Sequence, residues 1–121
     1  MSTVVTPAQI EKRLYDLSKE IDEAQQYSEM VEKNYFETKA SYEIGLAKSR
    51  MKWASVSSPT GKNYTVQERE DMALIENEAL HFAMGAAEAT VRSVRANVQR
   101  IRTQVDIARS IGTSVRVAME L

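Results

Sequence analysis

The sequence predicts an all-α protein: a long two-helix hairpin with a C-terminal helical oligomerisation tail. Three observations carry this prediction. Apolar and small residues recur in alternating steps of three and four over two long stretches, the signature of helices that bury one stripe. Two capping boxes are present, Thr6-Pro7-Ala8-Gln9 and Thr65-Val66-Gln67-Glu68, each with a hydroxyl three residues before a Gln or Glu. Between them lies one cluster of turn-forming residues, Ser55 to Asn63, rich in Ser, Pro, Gly and Asn. At 121 residues there is room for a single helical domain.

The first helix is expected over residues 7–53, with Pro7 at its first position, where a missing N–H costs nothing. Its seam reads Ile10, Leu14, Leu17, Ile21, Ala24, Ser28, Val31, Tyr35, Thr38, Tyr42, Gly45 and Ser49. At 1.5 Å per residue such a helix is about 70 Å long. Its second half has small or polar residues where Leu or Ile would be expected, which implies close helix approach or a wet interface. Residues 54–65 form the loop, and the second helix is expected over 66–111. Its seam is Leu80, Met84, Ala87, Val91, Val94, Val98, Ile101, Val105 and Ala108, after which the register slips. The apolar set that follows is too broad for one seam, and a lone helix pair hides little apolar surface. Oligomerisation through Val105, Ala108, Ile111, Val115, Ala118 and Met119 is the expected remedy. Gly112, amid Ser110, Thr113 and Ser114, is a candidate break, so residues 112–121 form either a separate tail helix or a continuation.

Composition narrows the function classes. Sixteen basic against 17 acidic residues leave a formal net charge of −1, so any nucleic-acid affinity must come from a patch. With no cysteine and one histidine, His81, thiolate metal sites are excluded and zinc is not expected. Thr60-Gly61-Lys62 resembles the end of a phosphate-binding loop, but the preceding glycine is missing and Asn63 replaces the required Ser or Thr, so it reads as a turn. His81 reads as a surface or packing residue, with no Ser, Cys or paired acid placed to use it. No enzyme activity and no cofactor are expected. The N-terminal residues lack a signal-peptide pattern and no run of about 18 apolar residues exists, so a cytoplasmic protein without membrane contact is the expectation.

The site reading rests on Lys48-Ser49-Arg50-Met51-Lys52-Trp53 and the loop end Lys62-Asn63-Tyr64, a stretch with no acid between Glu43 and Glu68. Lys and Arg neutralise phosphates and an aromatic ring gives a base a stacking face, so the pattern points to a nucleic-acid backbone, single-stranded rather than duplex. The candidate binding residues are Lys48, Arg50, Lys52, Trp53, Lys62 and Tyr64. The alternative is a solvated helix end, because cations suit a helix C-terminus. A second basic track runs through Arg92, Arg95, Arg102, Arg109 and Arg116, the last four spaced by seven. Three roles are open to it: pairing with Glu20 and Glu32 across the helices, a phosphate track in an oligomer, or a membrane-surface face.

The order of a long helix ending Leu46-Ala47-Lys48-Ser49-Arg50, an aromatic, a Ser/Gly loop, a second long helix and a basic-apolar tail resembles the UvsY-type recombination mediators of tailed bacteriophages. In that family a Lys-x-Arg pair followed by aromatics and a glycine loop binds the strand. Lys48 and Arg50 match the pair, Trp53 the aromatics and Gly61 the loop glycine. The sequence departs in having one aromatic where two are usual and a longer Ser-rich loop. The resemblance implies a ring-forming homo-oligomer that binds single-stranded DNA and helps load a RecA-like recombinase onto strands covered by single-strand binding protein. It would work in the cytoplasm of a host cell. The rival class is a coiled-coil assembly or scaffold protein with no DNA role.

Overall fold

A computed structural model describes residues 5–120, which form three helices: α1 (Pro7–Ala54), α2 (Val66–Glu76) and α3 (Glu78–Glu120). Among the described residues there is no strand, only one isolated antiparallel bridge between Ser57 and Asn63. The all-α expectation holds. The chain divides into two compact units, one made of the described residues up to Met30 with those from Arg92 on, the other of Val31–Val91.

Both capping boxes form. The Thr6 N–H donates to Gln9 Oε1 at 2.9 Å and the Gln9 N–H to Thr6 Oγ1 at 3.2 Å. At α2 the Thr65 N–H donates to Glu68 Oε1 at 3.2 Å and the Glu68 N–H to Thr65 Oγ1 at 3.1 Å. Each exchange satisfies donors that a helix start leaves without partners. The loop between α1 and α2 closes on itself, with the Ser58 N–H donating to the Lys62 carbonyl at 2.8 Å and the Gly61 N–H to the Ser58 carbonyl at 2.9 Å. Gly61 has φ +80°, a conformation that glycine adopts without strain.

Every residue of the α1 seam is buried or half-buried, from Ile10 to Ser49. In the first unit Leu17, Ile101 and Ala108 form the core, flanked by Leu14, Ile21, Ala24 and Val105. The two segments run antiparallel: Arg13 Nη2 donates to Gln104 Oε1 at 3.4 Å, and a Cβ on Gly112 would lie 3.2 Å from Ile10 Cγ2. In the second unit Tyr42, Leu46 and Ala73 are buried, with Leu80 and Met84 against them. Of the polar seam positions Thr38 is satisfied locally, its hydroxyl donating to the Asn34 carbonyl at 2.7 Å.

Three sequence expectations need correction. First, the helix expected over 66–111 is two helices, interrupted at Asn77, which has φ −105° and ψ 20°. The side chain is the cause. Its Nδ2 donates to the Ala73 carbonyl at 2.8 Å and across to Ser49 Oγ at 2.9 Å, so Asn77 caps α2 from a buried position. The seam hides this break, because Ala73, Asn77 and Leu80 keep the steps of four and three. Second, the register does not slip after Ala108: Gly112 and Val115 continue the seam half-buried, and α3 runs through Gly112 to Glu120. The lack of a side chain at Gly112 lets Ile10 approach. Third, Val105 and Ala108 belong to the intramolecular core. Of the other expected assembly residues, Val115 is half-buried while Ile111, Ala118 and Met119 are exposed; Leu121 lies outside the described residues.

Candidate nucleic-acid interface

Lys48, Arg50, Lys52 and Trp53 occupy the last two turns of α1, and the closed loop returns Tyr64 to Trp53. Trp53 and Tyr64 meet edge to face, with ring centroids 5.6 Å apart at 89°. Lys52 Nζ lies 4.8 Å from the centre of the Trp53 ring. Thus two aromatics separated by eleven positions in sequence become one cluster, with a cation over the indole. Trp53 and Tyr64 are both half-buried, so the rings pack on the protein as well as facing outward.

The tertiary fold also brings in acids that the local sequence lacks. Arg50 Nε donates to Glu70 Oε2 at 3.0 Å and Lys52 Nζ to Glu76 Oε1 at 2.7 Å. Ser49 Oγ donates to the other Glu76 oxygen at 2.8 Å. The candidate track therefore has two kinds of cation. Arg50 and Lys52 are held by carboxylates of α2, whereas the Lys48 and Lys62 side chains make no hydrogen bond or ion pair with the described residues. Sequence reasoning missed Glu70, Glu76 and Asn77, because their partners on α1 lie 20 to 28 positions away and only the α1–loop–α2 register joins them.

Beneath this cluster α1 and the Asn77 turn approach closely. A Cβ on Gly45 would overlap the Asn77 side-chain oxygen, so only glycine fits here. This is the close approach that the small residues of the α1 seam imply. Asn77, Ser49, Glu76 and Lys52 then form a continuous chain of hydrogen bonds from the buried turn to the exposed helix end. The Lys52 hydrogen bond holds the Glu76 carboxyl below its usual pKa of 4.5, assisted by Ser49 and opposed by desolvation. The Trp53 indole N–H is a buried donor with no hydrogen-bond partner.

A pH dependence follows. With its folded pKa below the unfolded one, Glu76 contributes stability that is present above the ordinary carboxylate value and is lost as pH falls through the lowered pKa. Glu76→Gln is expected to flatten the acid limb of stability against pH. Urea midpoints between about pH 3 and pH 7 measure this, and parallel limbs for the two proteins would remove the assignment.

The arginine track lies in the first unit. Arg116 Nη2 donates to Thr113 Oγ1 at 3.5 Å and Arg100 Nη2 to Asn97 Oδ1 at 2.8 Å, while Arg92 and Arg95 also engage partners. Arg102 and Arg109 form no hydrogen bond or ion pair with the described residues. Glu20 makes no ion pair with the described residues, so the expected pairing there does not form, whereas Glu32 engages a partner. His81 rests against Tyr42, with ring centroids 5.4 Å apart, and serves packing. No group of three or more metal-ligating side chains occurs among the described residues, and no helix is long and apolar enough to cross a membrane. No protein-family model, curated protein or solved structure matches the chain.

Proposed function

We propose that this chain is a non-catalytic single-stranded DNA-binding protein that acts as a homo-oligomeric recombination mediator, helping to load a RecA-like recombinase onto strands covered by single-strand binding protein in the cytoplasm. The supporting observation is the Trp53–Tyr64 pair with Lys52 over the indole, in a segment whose Lys48 and Lys62 side chains have no acid partner among the described residues. Such a site holds phosphates and offers bases a stacking surface, with little dependence on base sequence. Arg50 and Lys52 extend it when phosphates displace Glu70 and Glu76. The mediator role rests on the likeness of Lys48, Arg50, Trp53 and Gly61 to the UvsY-type pattern. Weak contacts at each subunit add across an oligomer, since one strand crossing several copies meets each site at high effective concentration.

Fluorescence-anisotropy titrations with an oligonucleotide at several salt concentrations test the reading. Affinity is expected to fall with salt by a log–log slope of about 0.7 per phosphate neutralised. Lys48→Ala with Lys62→Ala lowers both the affinity and that slope, and Lys48→Ala with Arg50→Ala does the same. Glu70→Gln has the opposite sign, because it frees Arg50 and steepens the slope by about 0.7. Trp53→Ala costs roughly 1–3 kcal/mol of binding per stacked base. Unchanged affinity in both lysine variants rejects the site. Recombinase filament formation on protein-covered strands, measured with and without this chain, tests the mediator role.

The rival reading is an assembly or scaffold protein, and a specific observation favours it. The Arg50–Glu70 and Lys52–Glu76 pairs already give two of the four track cations a role in fastening α2 to the end of α1. On that reading oligonucleotide binding is absent at about 0.1 M salt and Glu70→Gln only destabilises.

A further inference from the structure

We infer that Glu70 and Glu76 set the specificity of the basic site: held on α2 against the end of α1, they stand in for a ligand's phosphates, so that the site admits a strand of linked phosphates and excludes a single one. The inference deepens the proposed DNA-binding reading and rests on it. All of these groups lie in the second unit. Arg50 Nε meets Glu70 Oε2 at 3.0 Å and Lys52 Nζ meets Glu76 Oε1 at 2.7 Å, through side chains 31 to 57 % exposed. Such pairs contribute little in water, so their carboxylates are exchangeable, and a phosphate accepts the same hydrogen bonds. Both acids belong to one short helix, six positions apart, about 9 Å along its axis.

Little else holds α2. Of its 11 residues only Ala73 is buried, against Tyr42 and Leu46, while Leu74 and Ile75 are exposed. A helix of that length is marginal by itself, and α2 is bounded by the loop at one end and by the non-helical Asn77 at the other. Asn77 is the fixed end: it is buried, bonded to Ser49 Oγ and seated where Gly45 leaves room. Glu70 stands seven positions before it, about 10 Å away, and accepts one bond from α1, whereas Glu76 adjoins Asn77 and accepts two, from Lys52 and Ser49. A single phosphate that takes Arg50 leaves the Glu76 and Ala73 contacts in place, so α2 stays and the displaced Glu70 carboxylate repels the newcomer. A strand presents several phosphates at once. It engages Arg50 and Lys52 together, and α2 pivots about Asn77, withdrawing Glu70 farthest and freeing Lys52 from Glu76.

Hydrogen exchange of the α2 amides and fluorescence anisotropy test this on the full chain at about 0.1 M salt, with circular dichroism to verify folding. The probes are a thymidine oligonucleotide of about ten nucleotides and inorganic phosphate at the same total phosphate concentration. The oligonucleotide is expected to speed exchange over residues 70–76, because the pivoted helix loses its contacts with α1, and inorganic phosphate is expected to leave it unchanged. Glu70→Gln is expected to raise oligonucleotide affinity about two- to fivefold, the worth of an exposed ion pair. Asp71→Asn removes the same charge one position away, from a carboxylate bonded to Gln67 of its own helix, and is expected to keep affinity near the wild-type value. Oligonucleotide binding with unchanged or slower α2 exchange overturns the inference, as does an equal gain in the two variants or faster exchange with inorganic phosphate; each of these leaves the DNA site standing. Should Glu70→Gln fail to fold, the wild-type exchange result decides alone. Absence of oligonucleotide binding by the wild type and Glu70→Gln alike overturns the DNA site and this inference together.

Discussion

Leu17→Ala is expected to lower the stability of the folded chain by about 3–5 kcal/mol, the range for a large side chain deleted from a site that cannot collapse. Leu17 is the largest fully buried side chain, at 0 % exposure, and it joins α1 to Ile101 and Ala108 of α3 in the core of the first unit. The backbones on both sides are helical and continuous, so neither can move inward to fill the space without disturbing adjacent turns. At roughly 4 °C per kcal/mol for a chain of this size, the thermal midpoint falls by about 12–20 °C. Ile107→Ala provides the contrast. Ile107 is equally apolar but 55 % exposed, and its truncation is expected to cost about 0.5 kcal/mol or less. Urea unfolding followed by circular dichroism separates the two, and similar midpoints for both variants would show that the assigned core is not the structural one.

Gly45→Val is expected to cost about 3 kcal/mol and to dismantle the candidate interface at the same time. The new Cβ would overlap the Asn77 side-chain oxygen and lie 3.3 Å from Leu80 Cδ1, before the two γ-methyl groups are placed. Overpacking of this kind costs roughly 1–3 kcal/mol. Asn77 would have to leave its position, breaking the bonds to Ser49 and the Ala73 carbonyl, and a buried amide without partners adds roughly 1–3 kcal/mol. Ser49 then loses its donor, and the support for Glu76 and Lys52 weakens. Because Trp53 is the chain's single tryptophan, its emission reports on this region directly and is expected to shift to the red in the variant. Gly85→Ala is the control. Nothing lies within 4 Å of a Cβ there, so helix propensity alone acts and the change is expected to stabilise by up to about 1 kcal/mol. A Gly45→Val protein with native emission and an unchanged midpoint would contradict the close approach of α1 and the Asn77 turn.

The positions of the α1 seam, the start of α2 at Thr65 and the turn residues around Gly61 were legible in the sequence, because each depends on spacing or on a chemistry confined to a few neighbouring residues. A step of three or four repeats the same face of any helix, and a hydroxyl three residues before a Gln or Glu forms its capping exchange locally. The aromatic and basic composition of the candidate site was legible for the same reason. The electrostatic state of that site was not. Lys48 through Trp53 has no acid beside it in sequence, yet the loop length and the register of α2 set Glu70 against Arg50 and Glu76 against Lys52. The break at Asn77 escaped because asparagine falls on a seam position and periodicity does not distinguish a buried amide that continues a helix from one that caps it. What Asn77 does is decided by Gly45 and Ser49 opposite, which leave room for its side chain and supply its hydroxyl partner. Local pattern fixes which residues a helix buries. Only the folded register decides which charges and amides meet there, because those partners lie 20 or more positions apart and no local energy term links them.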